Sequence, residues 1–223
     1  MRRAGEADHV NMNTNDSVLI TGASKGLGFA LATQFARRGH RLIINARREH
    51  ELRAAERELA RLTNVTAIAG DVSEIAEEIA AKAVRVDVLI NNASELGPSP
   101  MPLLIEHPWD SLLRIFRVNV VAAIHLIQLL RPRVVVNITS DAGTNAYPHW
   151  GGYGASKAAL DHASRVLAAE MPEMRVLVVD PGDMNTEMHA LAEPGVDLSH
   201  LPSPDEVAPR IIAMLDERAE RVA

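Results

Sequence analysis

The sequence predicts an α/β fold: a doubly wound, mostly parallel sheet flanked by helices, in a single domain. Three observations carry that expectation. Short runs rich in Val, Ile and Leu alternate with longer stretches of helical periodicity along 223 residues, the rhythm of parallel strands covered on both faces. Hydrophobic residues make up 47% of the chain and aromatics only 3%, so aliphatic side chains supply the core. No repeat, low-complexity linker or shift in composition divides the chain, and its length suits one large domain.

Residues 1–15 read as a disordered polar lead, with Met12 an alternative start. The stretch Gly5-Glu-Ala-Asp-His9 follows Arg2 and Arg3, so no apolar signal segment is expected. The domain itself is expected over 16–223. It opens with a strand at 18–20, a helix at 27–38 ended by Gly39, and a second strand at 41–45. A helix at 49–62, a strand at 65–69, a short helix at 75–83 and a strand at 86–90 continue the alternation. The second half supplies a helix at 109–130, a strand at 134–138, a helix at 152–170, a strand at 175–179 and a last helix at 205–221. Within the long helix, Asn119, His125 and Gln128 interrupt the apolar run 118–130, which stops before Pro132. It reads as too short and too polar for a membrane span.

Composition narrows the partners. A formal net charge of -6 argues against a nucleic-acid binder, which needs a basic face. The chain has no cysteine and nine scattered histidines, so disulfides and thiolate sites are excluded and no metal site is expected. A cytoplasmic location is the expectation.

Chemistry concentrates in two motifs. Tyr153-Gly-Ala-Ser-Lys157 lies thirteen positions after Ser140. On a helix, the i,i+4 spacing sets phenol and ammonium on one face. A fixed cation favours phenolate: at ~4 Å and an effective dielectric of ~20 the attraction is about 4 kcal/mol, roughly three pKa units. That suits a general acid or base working near neutrality. Thr21-Gly-Ala-Ser-Lys-Gly-Leu-Gly28 falls where the first strand meets the first helix, the turn at which backbone approaches a pyrophosphate. Its spacing differs from the P-loop, which disfavours phosphoryl transfer.

With these motifs in order, the chain resembles the short-chain dehydrogenase/reductase family, the branch made of a single Rossmann domain. The resemblance spans roughly residues 17–186. It adds Asp71-Val72 after strand three, Asn91-Asn92-Ala93 after strand four, Asn119 in the long helix, Ser140 after strand five, and Pro181-Gly182 with Thr186 after strand six. It implies an oxidoreductase moving a hydride between a nicotinamide cofactor and a carbonyl or alcohol substrate, as in a carbonyl reductase. Tyr153 would then exchange the proton, Lys157 would hold the ribose and lower the phenol pKa, Ser140 would bind the substrate oxygen, and Asn119 would position a water beside Lys157. The implied cofactor contacts are Thr21, Gly22, Ser24, Lys25, Gly26, Leu27, Gly28, Asp71, Val72, Asn91, Asn92, Ala93, Tyr153, Lys157, Pro181, Gly182 and Thr186. The rival reading is a non-catalytic NADP(H)-binding redox sensor or partner-binding subunit, which needs the glycine turn but not the tetrad.

After strand two the chain reads Asn45-Ala46-Arg47-Arg48, with no carboxylate for the ribose hydroxyls. Arg47, helped by Lys25, is placed for a 2'-phosphate, so NADP(H) is expected over NAD(H). Ser94 follows Asn92-Ala93 where the family usually has glycine. Substrate contacts are expected from Glu95, Asp141, His149, Trp150 and Met184, with Leu96, Asp183 and Met188 nearby. The acids favour a polar or cationic substrate, and a small neutral aldehyde, ketone or alcohol stays open. The helices bearing His125 and Tyr153, with Ala158, Ala159, Leu160, Ala163 and Leu167, are expected to join copies into a homodimer or homotetramer, or else to face the core.

Overall fold

A computed structural model describes residues 15–216. The lead expected at 1–15, apart from Asn15, and the chain beyond 216 lie outside the described residues. Six strands, β1 (Ser17–Thr21), β2 (Arg41–Ala46), β3 (Val65–Ala69), β4 (Val88–Asn91), β5 (Val134–Ile138) and β6 (Arg175–Val179), pair in parallel in the order β3-β2-β1-β4-β5-β6. Helices connect them: α1 (Gly26–Arg37), α2 (Glu49–Leu59), α3 (Ala76–Lys82), α4 (Trp109–Phe116), α5 (Ala122–Leu130) and α6 (Gly151–Glu170). Two more follow β6, α7 (Glu187–Ala192) and α8 (Pro204–Asp216).

The period-2 geometry of a strand sorts the core into two layers. Val18, Ile20, Ile44, Val88, Ile90 and Val136 pack with Leu31 and Phe35 of α1, Leu52 of α2 and Ile211 of α8. Leu19, Ile43, Leu89 and Val135 point the other way, onto Ile79 of α3, Leu126 of α5 and Leu167 of α6. Both faces of each central strand are buried, which is why these strands read as unbroken apolar runs.

Three details depart from the expectations. Residues 109–130 form one continuous 22-residue helix, α4 and α5 joined through a π-helical turn at Arg117–Val121. The apolar run is therefore longer than 118–130, and by length and composition it suffices to cross a membrane. Ile115, Val118, Asn119, Ala122, Ala123, Leu126 and Ile127 are nevertheless buried within the fold, so it packs as a core helix. Helix α7 was not expected from the sequence. Thr186 caps it, its side-chain oxygen accepting from the His189 N–H at 3.2 Å. On α6, Leu160 is buried and Leu167 packs into the core, so neither is free to face another copy.

Candidate active site

The strand order reverses between β1 and β4, and at such a switch point the loops leaving the carboxyl ends of the strands diverge into a crevice. Here they enclose a cavity of about 670 Å³, within the range of small-molecule sites. Its wall runs from the β1–α1 turn past the ends of β2, β4 and β5 to the segment after β6.

At one end lies the glycine turn. Gly22, Ser24, Lys25, Gly26 and Leu27 line the cavity. A Cβ on Gly28 would sit 2.3 Å from the Gly22 carbonyl oxygen, so only glycine lets α1 start this close to β1. Gly26 has φ 57 and nothing within 4 Å of its Cβ position, which leaves the helix N-terminus open to an anion. Thr21 is buried and works from behind, its Oγ1 accepting the N–H groups of Asn92 and Ala93 at 3.0 Å each. Asn91 is also behind the wall, donating to Asn137 Oδ1 at 2.8 Å. Asp71, Val72, Asn92, Ala93, Pro181, Gly182 and Thr186 reach the cavity.

The cations of this end are already engaged. Arg47 pairs with Glu95 at 2.8 Å, and Arg114 of α4 joins that same carboxylate at 3.2 Å to Asp71 at 2.8 Å. Burial pushes the Asp71 carboxyl up, but bonds from Ser73 and Arg114 hold it below the usual carboxylate range. Lys25 bonds Glu187 and stands 3.9 Å from Glu51.

The other end holds the tyrosine. Tyr153 and Lys157 occupy one face of α6, both buried, with the Lys157 Nζ 5.4 Å from the centre of the Tyr153 ring. The ammonium donates to the Ile138 carbonyl at 2.8 Å. Ser94 and Ser140 line the cavity together with Tyr153, and their hydroxyls favour its ionised form against the larger effect of burial. The electrostatics differ from the expectation that Lys157 lowers the phenol pKa: burial pushes the phenol up to about 12 and the Lys157 ammonium down to about 8. Both groups lose water here, and dehydration disfavours the charged form of each. Asn119 sits in the π-helical turn with its side chain fully used. Its Oδ1 accepts from the Glu95 N–H at 2.7 Å and from Ser94 Oγ at 3.2 Å, and its Nδ2 donates to the Glu95 carbonyl at 3.0 Å and Ser156 Oγ at 2.9 Å.

The arrangement matches a known family: residues 16–196 fit the short chain dehydrogenase family. The chain belongs to it. An NADPH-dependent pterin aldehyde reductase of Arabidopsis thaliana is 36% identical over 77% of this chain and 76% of its own length. The oxidoreductase YciK of Escherichia coli is 30% identical over 92% of this chain and 87% of its own. Among solved structures, an alcohol dehydrogenase from the archaeon Thermococcus sibiricus, complexed with 5-hydroxy-NADP, superposes with a TM-score of 0.82 at 28% identity, covering 93% of each chain.

As a short-chain dehydrogenase, the protein bounds its cavity with an apolar outer wall. Leu96, Met101, Ala142 and Tyr153 form an apolar cluster with Ala192 of α7, against which Trp150 and Met188 pack. The Trp150 and Tyr153 rings meet edge to face at 5.8 Å. Glu95, Asp141, Trp150 and Met184 line the cavity as expected, but His149 does not. Its φ is 72, and its Nδ1 lies 3.1 Å from the Met101 carbonyl, an arrangement that fixes the loop rather than facing a ligand. Asp141 is held ionised below the usual carboxylate range by the Tyr147 hydroxyl at 2.6 Å. Glu51, Glu187, Leu191 and Ala192 also line the cavity and were missed. For the last three, the available signal was Thr186 as a helix cap directly ahead of Glu187.

Proposed function

We propose that this protein is an NADP(H)-dependent oxidoreductase that interconverts a carbonyl compound and its alcohol, with Tyr153 as general acid and base. One observation carries the reading: Tyr153, Lys157 and Ser140 line the same cavity as the open helix N-terminus at Gly26 and Arg47. The residues present fit a phosphorylated dinucleotide. The open Gly26 turn accepts a pyrophosphate, and the buried, unpartnered Thr139 Oγ1 stands in the wall at the tyrosine end. The NADP complex of the archaeal relative and the NADPH dependence of the plant relative support the same cofactor.

When bound, a nicotinamide supplies or accepts the hydride at the carbonyl carbon. Ser140 bonds the carbonyl oxygen and stabilises the charge that develops there. Tyr153, protonated at neutral pH with a pKa of about 12, donates its proton to that oxygen during reduction and takes it back during oxidation. Lys157 holds the ribose side of the cofactor and keeps a cation beside the ring. A void of about 10 Å³ between Asn119 and Lys157 is at the lower bound for one water, in line with Asn119 positioning a water beside Lys157. The apolar wall and the ionised Asp141 suit a carbonyl compound with an aromatic body and a hydrogen-bond donor. We also infer a cytoplasmic homodimer or homotetramer.

A screen of NADPH oxidation over a carbonyl panel, with Tyr153→Phe as control, tests this. The expected result is turnover of aromatic aldehydes or ketones that falls at least a hundredfold in the variant. Tight NADPH binding with no turnover on any carbonyl would instead favour a redox sensor.

A further inference from the structure

The long helix α4–α5 grips Glu95 twice. Asn119, in its π-helical turn, holds the Glu95 backbone at both polar groups, accepting the N–H at 2.7 Å and donating to the carbonyl at 3.0 Å. Five residues earlier in the chain, Arg114 reaches the carboxylate of the same residue, its Nε 3.2 Å from Oε2. The Glu95 side chain is only 17% exposed, and it lines the cavity. Clamped at its backbone, Glu95 keeps its carboxylate at this wall. A carboxylate so placed needs a cation beside it.

Two guanidiniums meet that need on one oxygen. Glu95 Oε2 accepts from Arg47 Nη1 at 2.8 Å as well as from Arg114 Nε. Arg47 lines the cavity and is the proposed 2'-phosphate ligand, whereas Arg114 is not among the lining residues. The other arm of Arg114 donates to Asp71 Oδ2 at 2.8 Å, so two guanidiniums balance two carboxylates. The neighbouring cations serve other partners, Arg48 bonding Glu51 at 2.6 Å and Lys25 bonding Glu187. A 2'-phosphate brings about two negative charges and draws Arg47 to itself, because a guanidinium binds phosphate through two N–H groups at once. With Arg114 in place, Glu95 keeps a cation when Arg47 turns to the phosphate. Without it, the phosphate would have to strip a largely buried carboxylate of its last cation, which is the costly way to break an ion pair.

We propose that Arg114 is a positioning residue for cofactor choice: by holding the Glu95 carboxylate it releases Arg47 to the 2'-phosphate, and so favours NADP(H) over NAD(H) without touching the cofactor. This rests on the reading of Arg47 as the phosphate ligand. NADH has no 2'-phosphate and makes no such demand on Arg47, so its affinity does not depend on which cation holds Glu95. Asp71 keeps two bonds from Ser73, at 3.0 and 2.7 Å, whether or not Arg114 is present. The loss of Arg114 is therefore felt through Glu95.

Calorimetric titration with NADPH and with NADH tests this with no substrate needed. Arg114→Gln is expected to weaken NADPH about tenfold and to change NADH by less than about twofold. Arg114→Lys, which keeps the charge, should recover most of the loss. In a Glu95→Gln background the effect of Arg114→Gln should disappear, because no carboxylate then competes for Arg47. Equal weakening of both cofactors by Arg114→Gln would mean that the arginine only supports the fold around Asp71, and would overturn the proposal. An unchanged NADPH affinity would do the same, as would a loss that persists without the Glu95 carboxylate. A parent protein that binds NADPH no tighter than NADH would refute the reading of Arg47, and the proposal with it, before any variant is made.

Discussion

At the scale of single residues, Lys157 illustrates a conflict between folding and chemistry. Its ammonium is buried, with the pKa brought down from 10.5 to about 8, equivalent to about 3 kcal/mol against the charged form. Below pH 8 the lysine is charged in both folded and unfolded chains, and the whole penalty is present. Between about 8 and 10.5 the unfolded chain holds more protons than the folded one, so stability rises with pH. Lys157→Met is therefore expected to melt higher at pH 7, by about 2 kcal/mol after the lost Ile138 bond is counted, with the gain shrinking toward pH 10. A gain independent of pH would contradict this account. A second residue-scale prediction concerns Glu95, which holds Arg47. Glu95→Gln should tighten NADPH binding about fivefold, or ~1 kcal/mol, and widen its margin over NADH. Calorimetric titration showing equal affinity for NADPH in both proteins would rule out competition between Glu95 and the 2'-phosphate.

At the scale of elements, the local motifs were legible because their geometry is set by spacing alone. The i,i+4 pair on α6 and the glycines of the β1–α1 turn needed no tertiary information. Every strand lies within a few residues of its expected position, since apolar runs and breakers define it. What escaped depended on contacts far apart in sequence. The Arg47–Glu95–Arg114–Asp71 chain joins four segments, and the phenol's high pKa follows from burial that no spacing reveals. Helix α7 was missed because six residues are too few for a periodic signal. The turn makes its own prediction. Gly28→Ala places a methyl 2.3 Å from the Gly22 oxygen, and should destabilise the protein by about 3 kcal/mol and abolish NADPH binding. Retention of both would mean the turn can open without loss.

At the scale of the molecule, the sheet order brings the segments after all six strands to one crevice, and the long helix α4–α5 leaves apolar side chains outside. Trp109, Leu113, Val121 and Leu129 are exposed, which is the surface expected to meet a second copy. Light scattering should give a dimer or tetramer, and Val121→Arg should shift it toward monomer. A monomeric parent protein would assign that face to another role.

The central claim is a hydride transfer completed by a proton from Tyr153. It is tested most directly with NADPH carrying deuterium at both nicotinamide C4 positions and the best carbonyl from the panel, the alcohol product being read by mass spectrometry. The account predicts one deuterium on the carbinol carbon with the parent protein and product formation at least a hundredfold slower with Tyr153→Phe. Unlabelled alcohol, or labelled alcohol formed at an undiminished rate by that variant, would contradict it.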